Sequence, residues 1–114
     1  MKPAHVHKLA SALPEAIEAP HFHFASYRVR GKIFATLAPG GDVRNVFVGE
    51  EERQVALALA PSAVEKLEWG GRVVGVQVKL ADARPAMVAS LLSQAWSGKA
   101  PKSLLALKAT AKKS

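Results

Sequence analysis

The sequence predicts a single α+β domain, a two-layer sandwich in which an antiparallel sheet of about five strands carries helices on one face. Three observations lead there. Apolar residues recur at helical spacing near both ends of the chain and again in its middle. Between those stretches the period drops to two, the alternation of a half-buried strand. Glycines then fall where hairpin turns belong. The expected order is α-β-β-β-α-β(β)-α, with residues 1–107 forming the domain and 108–114 a basic tail.

Each element has its own reason. Val6, Leu9, Ala10 and Leu13 share one helical face, so Pro3–Ala12 reads as a short amphipathic helix stopped by Pro14. Pro14–Pro20 reads as a connector carrying Glu15 and Glu18. From Phe24, Ala25, Tyr27 and Val29 alternate with Ser26, Arg28 and Arg30. Gly31 then turns the chain into a second strand over Ile33–Leu37. Pro39-Gly40-Gly41-Asp42 makes another turn, and Val43–Val48 completes a three-stranded meander.

Glu50, Glu51 and Glu52 suit a helix N-terminus, where the backbone dipole favours negative charge. Val55, Ala56 and Leu59 supply that helix's apolar stripe as far as Pro61. Ser62–Glu68 reads as irregular. Arg72–Leu80, with Val74, Val76, Val78 and Leu80 alternating, reads as a half-buried strand. The last helix starts near Asp82 and Pro85 and presents Val88, Leu91, Leu92, Ala95 and Trp96 on one stripe, with Gly98 as its stop. Pro101–Leu107 adds a helical turn through Leu104 and Leu105.

Composition narrows the function classes. The chain has 114 residues, 49% of them hydrophobic, enough for one cored domain. It has no cysteine, which excludes disulfides, zinc-thiolate centres and cysteine nucleophiles. The first residues lack an apolar signal core, and no stretch reaches the roughly 18 apolar residues of a membrane span, so a cytoplasmic protein without membrane contact is expected. The net charge is +7 and lopsided: residues 1–60 hold seven basic and six acidic groups, residues 61–114 nine and three. Such asymmetry is the footprint of nucleic-acid binding, or of a solubilising tail.

The residues match a family pattern. Leu13-Pro14-Glu15, Pro20-His21-Phe22 and the run Ser26-Tyr27-Arg28-Val29-Arg30-Gly31-Lys32-Ile33-Phe34-Ala35 resemble the opening signature of the MmcQ/YjbR family. Trp69-Gly70, the strand ending at Leu80, and Ala95-Trp96 followed by Ala100-Pro101-Lys102 resemble its second half. The resemblance implies a fold like that of CyaY or of type III secretion chaperones, and a label of DNA-binding. Two departures stand out: Ala25 replaces a usual proline, and Val74-Gly75 replaces the usual Gly-Trp pair.

The candidate interface is basic. Arg28, Arg30 and Lys32 lie within five residues at a strand end and turn, and Arg28 and Arg30 share a strand face. Arg44, Arg72 and Lys79, from other strands, would extend a stripe able to contact phosphates without reading sequence. Only 6% of the chain is aromatic, which argues against a platform for stacking single-stranded bases. Trp96 belongs to the core, and Trp69 is assigned there too, with a partner anchor at the sheet rim as its alternative.

Other chemistry finds no constellation. His5 and His7 diverge on a helix, His21 and His23 could chelate only in an extended segment, and no acid stands beside them in sequence, so no metal or other cofactor is expected. The serines lie in no nucleophile elbow, and Gly40-Gly41 and Gly70-Gly71 are turns rather than phosphate-cradling loops. The expectation is a non-catalytic protein that binds nucleic acid. The alternative is an interaction module that holds a partner chain or a second copy of itself.

Overall fold

Pro3 opens the first helix, where its missing N–H is not needed, and α1 runs Pro3–Ser11 with Val6 and Ala10 fully buried. In the computed structural model, residues 2–21, 24–38 and 42–106 are described, His21 and Arg44 by their backbone alone. The later elements are β1 (Ala16–His21), β2 (Phe24–Val29), β3 (Lys32–Leu37), β4 (Val43–Val46), α2 (Glu50–Leu59), β5 (Val64–Trp69), β6 (Arg72–Val78), a 3-10 turn at Leu80–Asp82, and α3 (Pro85–Lys99). The anticipated glycine turn at 39–41 and the basic tail at 108–114 lie outside the described residues.

The α+β class stands, and the strand count is corrected. Six strands lie in the order β1-β2-β3-β4-β6-β5, every pairing antiparallel. They form two three-stranded halves, β1-β2-β3 and β4-β6-β5. The seam between the halves is thin: one paired rung, Leu37 with Val43, and a hydrogen bond from the Phe47 N–H to the Phe34 carbonyl at 3.3 Å.

Both unforeseen strands are edge strands, whose sequences carry weak alternation. β1 tolerates Pro20 because an edge strand has one side without ladder bonds. β5 buries only Val64 and Leu67 among four polar or exposed positions. Charge on an edge strand also discourages pairing with another chain.

Two features bend the sheet. Between β2 and β3 the register shifts at Tyr27/Arg28, leaving Phe34 without a rung, so the adjacent Phe34 and Ala35 are both fully buried. Between β4 and β6 it shifts again, and the β4 backbone crosses so close to Gly75 that a Cβ there would overlap the Val46 carbonyl oxygen.

The helices pack on one another, α1 and α2 each against α3, and onto the strands. The core they enclose includes Tyr27, Val29, Phe34, Val76, Val78, Leu92 and Trp96. Trp96 is fully buried, and its indole N–H donates to the Pro14 carbonyl at 2.9 Å, tying the last helix to the segment after the first. No described helix is long and apolar enough to cross a membrane.

Candidate nucleic-acid interface

Strand direction decides which cations meet. β3 starts at the Arg30-Gly31 turn, β4 returns toward it, and β6 runs away again from the Gly70-Gly71 turn. Both hairpin turns therefore lie at the same end of the sheet. Each is a two-residue loop with both residues at positive φ: 50° and 80° at Arg30-Gly31, 57° and 81° at Gly70-Gly71. That is the type I′ signature, whose twist matches that of the flanking strands.

Of the six predicted contacts, Arg28, Arg30, Lys32 and Arg72 lie at this hairpin end. Lys79 lies at the opposite end, because Val43 and Val78 share the rung that Leu37 joins. Arg44 follows Val43 there, and its side chain lies outside the described residues.

Carboxylates claim two of these cations. Arg30 grips Glu15 with two hydrogen bonds, Nε to Oε1 at 2.7 Å and Nη2 to Oε2 at 2.9 Å. That grip holds the Glu15 carboxyl below its ordinary range and raises the guanidinium. Lys79 Nζ sits 3.1 Å from Glu65 Oε1, which likewise raises its ammonium.

Arg28 is placed differently. It is partly buried on the sheet face opposite the helices, and its Nε donates to Ser26 Oγ at 3.1 Å. Ser26 in turn donates to the Ala19 carbonyl at 2.7 Å, and on the neighbouring strands Asn45 Nδ2 donates to Thr36 Oγ1 at 2.8 Å. A neutral hydroxyl and amide stripe thus crosses the middle of that face, with Arg28 at its hairpin-end margin. Among the described residues, no carboxylate lies within 4.0 Å of the charged nitrogens of Arg28, Lys32 or Arg72.

The tryptophans divide. Trp96 is core, as its spacing predicts, but the assignment of Trp69 to the core is corrected. It is 52% exposed and meets Phe47 edge-on, ring centroids 5.2 Å apart. Lys99 Nζ stands 5.2 Å from the Phe47 ring centroid, a cation–π distance. These side chains, with Val48, Gly49 and Val74, line a shallow cleft of about 430 Å³. Phe47 and Lys99 escaped sequence reasoning: one follows a strand, the other closes a helix, and neither position carries a motif. Glu68 shares the hairpin end, and Glu50–Glu52 open α2 beyond the cleft.

The histidines do not converge among the described residues. His7 Nδ1 lies 2.8 Å from Glu18 Oε2 and 3.2 Å from the Tyr27 hydroxyl. Burial, aided by Glu18, pushes Tyr27 up to about 12. His5 is exposed, while His23 and the His21 side chain lie outside the described residues. No described group of three or more His, Asp or Glu side chains is placed to hold a metal ion.

A second cleft, about 680 Å³, runs between α2 and α3, lined in part by Val55, Leu59 and Met87. Leu59 is 75% and Val55 54% exposed.

The YjbR family model matches residues 11–97. No curated protein and no solved structure matches the chain.

Proposed function

Starting from the finding that the chain belongs to the YjbR family, we propose that it is a non-catalytic, cytoplasmic protein that binds nucleic acid non-specifically through the hairpin end of its sheet. The supporting observation is that Arg28, Lys32 and Arg72, on three strands, all lie at the hairpin end and none is held by a described carboxylate. Lys32 lies on the side of its buried rung partner Val29, and Arg28 on the other. Lys32 opens β3 and Arg72 opens β6, the two strands that flank β4 in the sheet order. Arg28 brings a partly exposed guanidinium anchored through its Nε to the Ser26 hydroxyl. The net charge of +7 attracts a polyanion over a longer range.

Three phosphate contacts predict a slope of about −2.7 in log affinity against log salt, or roughly fortyfold weaker duplex binding between about 50 and 200 mM salt. The triple variant R28A/K32A/R72A should abolish most binding at low salt. R30A should change it less, because Glu15 already holds that guanidinium. Undetectable binding of any nucleic acid at low salt ends this reading.

The α2/α3 cleft favours a second reading, an interaction module that takes a second copy of the chain against Val55 and Leu59. Sedimentation would then show mass rising with concentration, and L59E would restore the monomer. A monomer at every concentration excludes it.

A further inference from the structure

We propose that Trp69 is a single-base anchor, so that the hairpin end takes single-stranded nucleic acid in preference to duplex; this rests on the nucleic-acid reading above. Burial of a tryptophan ring is strongly favoured, so one left 52% exposed at a hairpin tip is an unusual surface. The edge-on contact with Phe47 covers only part of the residue, and about half of its surface remains open to a base.

The ring is also held in place. Trp69 pairs with Arg72 across a tight Gly70-Gly71 turn, and Phe47, the residue after β4, meets its ring. Lys99 stands over the Phe47 ring, and Arg72 is the rung partner of Trp69, so two cationic residues neighbour the aromatic pair.

This is the chemistry of a splayed nucleotide: a flat π-face for the base and flanking cations for the phosphates. Duplex bases are stacked within their helix and cannot offer a face to Trp69, whereas a single strand can. One ring makes an anchor for one base, which agrees with so low an aromatic content.

The two tryptophans make the test direct. Trp96 is fully buried in the core, so fluorescence quenched by an added oligonucleotide reports Trp69. The probe is a thymidine homo-oligomer, compared with a duplex of equal length at low salt. The anchor predicts saturable quenching by the single strand, and for W69A a loss of about tenfold in single-strand affinity. Duplex affinity should be nearly unchanged, and W69F should retain part of the loss-free affinity because its ring still stacks.

Nucleic-acid binding with unchanged tryptophan emission, or with W69A weakening both ligands equally, overturns the anchor and leaves the phosphate-binding reading in place. No binding of either ligand at low salt overturns both.

Discussion

Replacing Gly75 by alanine tests the geometry of the sheet most sharply. A Cβ built at this position overlaps the Val46 carbonyl oxygen, and it falls 2.9 Å from the Val46 carbonyl carbon and 3.1 Å from Phe47 Cα. All three atoms are backbone, so no side chain can swing aside. Either β4 moves off β6, losing ladder bonds, or β6 buckles over the core residues Val76 and Val78. Overpacking against movable side chains costs about 1–3 kcal/mol, and a backbone obstacle puts G75A at about 3 kcal/mol or more.

Gly98 supplies the control. It lies in the last turn of α3, at no positive φ and with open space where its Cβ would be, so G98A should stabilise by roughly 0.5 kcal/mol through helix propensity. Urea unfolding followed by far-UV circular dichroism gives both values from midpoint and slope. Equal, small effects of the two substitutions would refute the close crossing of β4 over Gly75.

Two further outcomes follow from local geometry. Arg30 occupies the first I′ position at φ 50°, where asparagine before glycine is preferred, so R30N should raise the urea midpoint even without the exposed Glu15 pair; a midpoint lower in urea than that of the parent would contradict it. Tyr27 is the only tyrosine, and its phenolate absorbance should rise with a midpoint of about 12 in the folded protein and near 10 in urea. Because the folded value is the higher one, the neutral phenol is favoured in the native state, and stability should fall as pH rises above about 10. A folded midpoint near 10 would contradict the burial of that ring.

Much of the helical layer is legible from spacing alone. The α3 stripe Val88, Leu91, Leu92, Ala95 and Trp96 is buried throughout, because a helix fully packed on one side leaves a clear 3.6-residue imprint. The turns are legible for a similar reason: glycine adopts the positive φ values found at Gly31, Gly70 and Gly71 without strain.

Edges and irregularities left no comparable imprint. β1 and β5 each have one unpaired side, so they need neither alternation nor β-branched residues. The buried Phe34-Ala35 pair depends on a register shift, and period-two counting assigns such neighbours to opposite faces. At the candidate interface, the basic residues were visible as residue types but not as a surface. Glu15 neutralises Arg30 from a stretch with no regular pattern, and Trp69 stays outside the core because β5 ends at the rim.

The indole of Trp96 reaching back to the Pro14 carbonyl has a bearing on synthesis. During translation the first helix emerges early, while the ring that locks the following segment arrives only with the final helix. Until then, Val6 and Ala10 of α1 have no third helix to bury against. A nascent chain shortened before this residue would expose that apolar stripe, which is the condition under which partly made proteins recruit chaperones or aggregate.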